Sequence, residues 1–406
     1  MLTDVTSDYD KLLPLYVMNQ PWIEVKMIKK LSFVLMLAPL FYGNALFAAC
    51  LEDKLEEFQQ FLQEYRRDEQ ILSFSVALVK DGEIVLSEAI GWQDHDAEEP
   101  TTARTSYLVA SITKTFTAAT LLAMDHDGHI DLDDDFTKLS DWDDRCDRLT
   151  NSGIIFGGGT LDDGTIVESP RCDEPISLRH VLQHRVQGNP GSTFLYNPVV
   201  FGRLSNWVEE NTDRTWREWM YEYVIGPAEL ESVAAGWRDP GKGIALTNLA
   251  PPFRHAPDQN DGLAPSILPN PELNASSGII ASALDLADYS MALDQGKILP
   301  TALVERMWTP PLDVDGQPAP YAYGWYVQDW QGHRLVWHGG WWPDAYAGLL
   351  LKAPDDGWTL IALGNTDGIH WGNPLQGAEV EKSPLAAKFL SLFVADEISL
   401  IPTQPQ

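Results

Sequence analysis

The chain has 406 residues, 44% hydrophobic and 21% charged, a globular composition long enough to bury one large core or two interleaved lobes. Its 59 Asp and Glu outnumber 28 Lys and Arg, a formal charge of −31. A field of that sign repels phosphates, which excludes nucleic acid as a partner.

Residues 1–26 carry Asp4, Asp8, Asp10 and Glu24 and do not read as an export signal. From Met27 the chain reads Met-Ile-Lys-Lys, then an apolar run from Leu31 to Leu40, then small and apolar residues to Cys50. A basic start, an apolar run and a small-residue end describe an export signal. Met27 is thus a candidate start beside Met1. The run is too short for a membrane span. Leu46-Phe-Ala-Ala-Cys50 resembles a bacterial lipobox, with Phe47 where Leu is usual. Two readings stay open: a lipid on Cys50 that anchors the protein to a membrane, or cleavage near Ala48 or Ala49. Either way the expected location is exported: periplasmic, envelope-anchored or secreted. In an oxidising compartment Cys146 and Cys172 are expected to form a disulfide.

Residues 51–70 place Leu51, Leu55, Phe58, Phe61 and Leu62 at helical spacing. Residues 74–86 place two apolar runs around Asp81-Gly82, a hairpin signal. A helix is expected from Ser111 to Met124, stopped at Gly128. The acidic cluster Asp125–Asp135 lacks the spacing of a calcium loop, so a solvated turn is expected and no metal. Residues 140–177 read as a loop or hairpin; the Gly157–Gly159 run has no Gly-Lys-Ser/Thr and is no phosphate cradle. Helical segments follow at 178–188 and 200–233. A Pro-rich crossing loop is expected at 250–273, and a short helix at 284–294. Strands return at 323–328, 334–337, 347–351 and 358–363, before a closing helix near 384–395.

Ser111-Ile-Thr-Lys114 is the one Ser-x-x-Lys in the chain. On a helix, residues i and i+3 share a face, so the amine can approach the hydroxyl. A serine needs a base to act as nucleophile, and a lysine whose pKa is lowered by burial can serve. Ser111 as nucleophile and Lys114 as base are the first functional expectation.

The segment Leu108–Ala118 resembles the nucleophile region of the serine penicillin-recognising superfamily. That superfamily includes class C β-lactamases, D-alanyl-D-alanine peptidases and family VIII esterases. Gly128-His-Ile-Asp-Leu-Asp resembles its turn after the nucleophile helix. Leu178–Gly188, with His184 and Gly188, resembles its Leu-Leu-x-His-x-x-Gly segment. Ser276–Leu286 resembles another signature. The likeness spans roughly residues 70–365.

The resemblance implies further roles. Tyr196 stands at the tyrosine of Tyr-x-Asn and would move a proton between nucleophile and leaving group. Pro198 stands where that motif has Asn, which leaves Asn197 as the nearby amide for substrate. His338-Gly339-Gly340 stands at Lys-Thr-Gly, with His338 at the position that holds a substrate carboxylate. The N–H groups of Ser111 and Trp341 would form the oxyanion hole. Gly339, Gly340 and Trp342 would contact substrate. Trp337, Trp341, Trp342 and Tyr346 read equally as an acyl pocket or as core.

The implied fold is α/β (α+β): an antiparallel sheet built from both chain ends, flanked by helices, with an inserted, mainly helical subdomain. Residues 1–49 are expected as extension and signal, and 50–400 as one catalytic domain. Its α/β lobe covers about 50–112 and 265–400, and its helical lobe about 113–264. The expected function is a serine hydrolase acting through an acyl-enzyme on a small-molecule or peptide ester or amide, without cofactor. An esterase or broad acyl hydrolase is favoured. The alternatives are a D-alanyl-D-alanine carboxypeptidase or class C-type β-lactamase, and an inactive envelope protein that keeps the fold.

Overall fold

A computed structural model describes residues 38–94, 99–162, 164–241, 243–259, 262–269 and 272–395. The chain divides into two units, Met1–Asp53 and Lys54–Gln406. In the first, the described backbone is helical from Ala38 onward, as part of α1 (Ala38–Asp68). The start of the expected export segment lies outside the described residues, and so does the side chain of Cys50.

In the second unit, β1 (Ser73–Lys80) and β2 (Glu83–Gly91) form the hairpin expected at Asp81-Gly82. Both turn residues have positive φ, 49° and 81°, as a two-residue type I′ connection requires. A short strand, β3 (Ser106–Leu108), then leads to α2 (Thr113–His126). Every residue of α2 from Thr113 to Met124 is buried. A helix buried all round is a central helix rather than a surface one. Its four threonines are accommodated by backbone bonds. Thr115 and Thr120 donate to Ile112 O and Phe116 O one turn back, at 2.8 and 2.9 Å. Thr117 donates to Ala275 O at 2.7 Å, and Thr113 accepts from Ile279 N.

The middle of the chain is mainly helical, with a helix where a loop or hairpin was expected. The acidic stretch at 142–150 forms α3 (Trp142–Thr150), which buries Trp142, Cys146 and Leu149 on one face. A small hairpin, β4 (Gly159–Thr160) and β5 (Ile166–Val167), follows. The helix expected at 178–188 is only α4 (Leu178–Leu182), because the chain turns out of helix and His184 takes a φ of 53°. Next come α5 (Pro198–Phe201), α6 (Leu204–Asn211) and α7 (Trp216–Met220), which continues into a π-helical turn at Tyr221–Ile225. After β6 (Ala234–Ala235) and α8 (Gly243–Thr247), the Pro-rich segment contains another small hairpin, β7 (Phe253–His255) with β8 (Leu263–Pro265).

The chain then returns to the sheet. Strand β9 (Ile279–Ser282) pairs with both β3 and β6. Helix α9 (Ala283–Asp294) opens on a Ser282–Asp285 capping box and packs on β1 and on the later strand Trp358–Gly364. After α10 (Thr301–Met307) come β10 (Tyr326–Trp330), β11 (His333–Trp342), β12 (Tyr346–Ala353) and β13 (Trp358–Gly364). The six-stranded antiparallel sheet has the order β10-β11-β12-β13-β1-β2, so β13 pairs with β1 and joins the two ends of the chain. Helix α11 (Pro384–Phe389) closes the described fold with a π-helical turn at Leu390–Val394.

Cys146 and Cys172 are bonded, with Cα atoms 5.7 Å apart and a sequence separation of 26. The bond ties α3 to the loop that precedes α4. Closing a loop of that length removes entropy from the unfolded chain. Replacing both cysteines by Ser is therefore expected to lower unfolding free energy by about 2–4 kcal/mol, read from urea denaturation of the oxidised protein and the variant.

Candidate active site

Ser111 lies in a 3-10 turn, Ala110–Ile112, between β3 and α2. The preceding residue, buried Ala110, has a φ of 45°. That is a costly conformation for a residue with a Cβ, and strained positions of this kind cluster at functional sites. It is held in place because Val109 N donates to Ile279 O on β9 at 3.0 Å.

Lys114 sits one turn on, fully buried. Its Nζ forms a 2.9 Å hydrogen bond with Ser111 Oγ and donates to Ser276 O at 3.1 Å. The Nζ also lies 4.9 Å from the centre of the Tyr196 ring and 5.4 Å from that of Phe201. Among the described residues no carboxylate pairs with it. Burial therefore drives its pKa well below the ordinary lysine value. The Ser276 carbonyl is aimed by a tight turn in which Asn274 Oδ1 accepts from Ser276 N and Ser277 N.

Tyr196 N donates to Leu375 O, and the half-buried ring stacks on Tyr326 at 5.9 Å. Burial raises the pKa of its hydroxyl, opposed by a hydrogen bond with Ser111. Ser111, Lys114 and Tyr196 are thus in mutual contact.

Asn197 does not join them. It is wholly buried and caps α5, accepting from Val200 N at 3.1 Å. Its amide donates to Phe156 O and Gln187 Oε1 at 3.2 and 3.1 Å. The substrate role expected of Asn197 is overturned: its polar groups are engaged inside the protein. Its backbone N–H donates to His184 Nδ1 at 3.0 Å, so the neutral His184 ring carries its proton on Nε2.

His338 does line the site, but not as the holder of a carboxylate. Its Nδ1 donates to Gly339 O at 2.7 Å and its Nε2 accepts from Tyr321 OH at 3.0 Å. Burial, aided by the nearby Lys114 charge, pushes its pKa down to about 3. The ring is neutral and both nitrogens are occupied, which corrects the role expected of it.

Pairing with β10 ends at Trp337, so from His338 to Trp342 strand β11 is paired on its β12 side alone. Alternate backbone N–H groups on the other edge are left outside the ladder. Strand β11 packs against the turn that holds Ser111. At Gly340 a Cβ would stand 2.2 Å from Val109 O, so only glycine permits this approach. Trp341 is 44% exposed and stacks on His370 at 4.1 Å. Trp342, expected at the substrate, instead packs against the hydrophobic core. Adjacent strand residues point to opposite faces, so only one of the pair can reach the site. Tyr346 is core too, its hydroxyl donating to Ala250 O at 2.7 Å.

Ser111, Tyr196, His338, Gly339, Gly340 and Trp341 line a cavity of ≈ 330 Å³. Trp337, expected as acyl pocket or core, lines it too; walls the sequence reading does not name are Phe156, Tyr326 and Gly348, and the loop residues His370, Trp371, Asn373 and Leu375. The Gly-, Asn- and Pro-containing stretch at 364–377, with its aromatic pair, was the available signal, since loops on a rigid scaffold carry function. None of the lining residues is Asp, Glu, Lys or Arg.

The beta-lactamase family profile matches residues 58–378. The chain belongs to the beta-lactamase family. It is 26% identical over 282 residues to a D-aminopeptidase of Gluconobacter oxydans, covering 66% of this chain and 50% of that protein. It is 27% identical over 276 residues to the D-aminopeptidase of Brucella canis, covering 66% and 51%. The chain thus spans about half the length of these curated relatives. Among solved structures, it resembles the octameric penicillin-binding protein homologue from Pyrococcus abyssi, with TM-score 0.61 and 20% identity over 77% of this chain and 74% of that one. It also resembles EstCE1, described as a hydrolase with promiscuous acyltransferase activity, with TM-score 0.60 and 17% identity over 83% and 99%. The D-amino acid amidase from Ochrobactrum anthropi SV3 matches with TM-score 0.56 and 17% identity over 76% and 91%. These structural likenesses establish the β-lactamase-like fold.

A base role for Lys114 has a definite pH signature. The protonated amine cannot take the Ser111 proton, so kcat/KM should rise with pH through the lowered lysine pKa. It should level off well below the ordinary value of about 10.4. Lys114→Met should lose about 10²–10⁴-fold in turnover and lose this limb. A limb at the ordinary lysine value would contradict a neutral buried base. The linkage has the same sign. Between the lowered folded pKa and the unfolded value near ~10.4, the unfolded chain binds the extra proton. Wild-type stability should therefore fall as pH drops through that window, more steeply than in Lys114→Met, as read from denaturant titrations.

Proposed function

We propose that the protein is a serine hydrolase that forms an acyl-enzyme at Ser111 and acts on an uncharged ester or amide with an apolar acyl group. The observation that carries this reading is the Ser111–Lys114–Tyr196 contact at the wall of an aromatic cavity without a charged lining residue.

Ser111 Oγ attacks the carbonyl carbon while its proton passes to the neutral Lys114 amine. The tetrahedral oxyanion is held by the backbone N–H groups of Ser111 and Trp341. A single donor of this kind is worth about 2.7–4 kcal/mol. Tyr196, in contact with both Ser111 and the lysine, relays the proton to the leaving group. Water then attacks the acyl-enzyme by the reverse proton path and releases the acid. Fixed backbone donors need no reorganisation as the oxyanion charge develops.

The substrate class follows from what the cavity offers. A β-lactam or a D-alanyl-D-alanine peptide presents a carboxylate, which a neutral and fully engaged His338 does not grip. A free amino group would want an acid, and the cavity lining has none. Aromatic faces at Phe156, Tyr326, Trp337 and Trp371 suit an apolar acyl group instead. A second reading, hydrolysis of D-amino acid amides or peptides, is favoured by the D-aminopeptidase relatives. Export to the periplasm or envelope is part of the proposal. It rests on the Met27–Leu40 pattern and on the disulfide, a bond typical of oxidising compartments.

A substrate panel separates these readings. The p-nitrophenyl esters of butyrate and hexanoate should be turned over, and Ser111→Ala should reduce that turnover by at least ~10³-fold. D-phenylalanine amide, nitrocefin and a D-alanyl-D-alanine peptide should have kcat/KM at least ~10-fold lower than the esters. Preference for D-phenylalanine amide would select the second reading. No turnover of any of these would contradict the enzyme reading.

A further inference from the structure

A second concavity, of ≈ 240 Å³, lies next to the active cavity. Pro198 at the start of α5 lines the active cavity, and the next two residues, Val199 and Val200, line this groove. Trp142, Leu149 and Ile154 add further apolar surface. Ile154 and Val199 are 44% and 40% exposed, so part of the apolar lining faces solvent. Its volume is below the ~300–1,000 Å³ of sites for drug-sized ligands, which suits a short apolar chain.

The polar side of the groove is Arg145, Arg148, Arg203 and Ser152, and no Asp or Glu is among its described lining residues. In a chain with 59 acids and 28 bases, a lining with three arginines and no acid runs against the prevailing charge. Arg145 is paired with Asp141. Arg203 has a neutral partner, Asn206 Oδ1, at 3.2 Å. Arg148 makes no hydrogen bond or ion pair among the described residues. Burial, and then the Arg145 and Arg148 charges, depress the Arg203 pKa; Asp141 is the one acid that opposes them. Among the described residues, neither Arg148 nor Arg203 has an acid in hydrogen-bond or ion-pair contact beside this apolar hollow. A bound anion would relieve that repulsion, and a guanidinium matches the two oxygens of a carboxylate. The frame is rigid, because Cys146 lines the groove and its disulfide holds the helix that carries Arg145 and Arg148.

We propose that this groove binds an amphipathic carboxylate, its short apolar chain against Trp142, Ile154 and Val199 and its carboxylate on Arg148 and Arg203. The site is separate from the catalytic contacts, and binding is independent of turnover.

Isothermal titration of the whole protein with octanoate and with octanol tests it, using Arg148→Ala, Arg148→Ala/Arg203→Ala and Val199→Trp as variants. Octanoate should bind at least ~10-fold more tightly than octanol. Arg148→Ala should reduce that preference, the double variant should abolish it, and Val199→Trp should block binding of both. Arg148 is exposed, so its single variant keeps the test valid where another variant does not fold. Equal affinity for octanoate and octanol would overturn the proposal. So would octanoate binding unchanged in Arg148→Ala and in Val199→Trp, which would assign the ligand to another cavity.

Discussion

Among the described residues no counter-charge accompanies the buried amine of Lys114, and the fold around Ser111 is arranged to keep it so. An ammonium ion in that position carries a desolvation penalty of several kcal/mol, which favours the neutral base. What surrounds it instead is one carbonyl, one hydroxyl and two aromatic faces. Those groups come from distant parts of the chain. The Ser276 carbonyl precedes β9, Phe201 ends α5, and Tyr196 stands in the loop before that helix. Helix α2 must therefore be buried on every side, which requires both the sheet and the helical block.

The same exclusion of charge extends through the cavity. His338 is neutral because burial disfavours its cation and its two nitrogens are occupied by Gly339 and Tyr321. His184 is neutral by burial too, with Nδ1 accepting from Asn197 N. A chain of net charge −31 thus has a candidate catalytic cavity with no acid, lysine or arginine among its described lining residues. The close approach of β11 at Gly340 belongs to the same arrangement, since it brings the free edge of that strand to the nucleophile turn.

Local signals carried much of this into the sequence. Asp81-Gly82 specifies its hairpin by backbone geometry, and Ser111 and Lys114 meet because three residues make nearly one helical turn. The strands of the second half follow from apolar runs between turn residues. Other features depend on partners far away in sequence. Asn197 looks like an available amide until Phe156, Gln187 and Val200 occupy it. His338 looks titratable until Tyr321 and Gly339 take its nitrogens. Trp341 and Trp342 cannot be told apart by composition, because the pairing of β11 with β12 decides which one faces the cavity. Trp371 and Asn373 lie in an irregular loop, where no periodicity marks a wall residue. Helix α3 was hidden by its acidic, weakly helical composition, since Asp favours turns and caps over helix interiors.

The proposed mechanism rests on covalent acylation of Ser111 with the buried Lys114 as its base. Intact-mass and peptide-mapping mass spectrometry after rapid acid quench of a p-nitrophenyl hexanoate reaction detects that step. One added hexanoyl group is expected on the peptide that carries Ser111, formed faster as pH rises through the lowered lysine pKa, and absent in Ser111→Ala. Turnover of the ester with hexanoyl on a different residue, or with the same adduct formed equally fast in Lys114→Met, would contradict that mechanism.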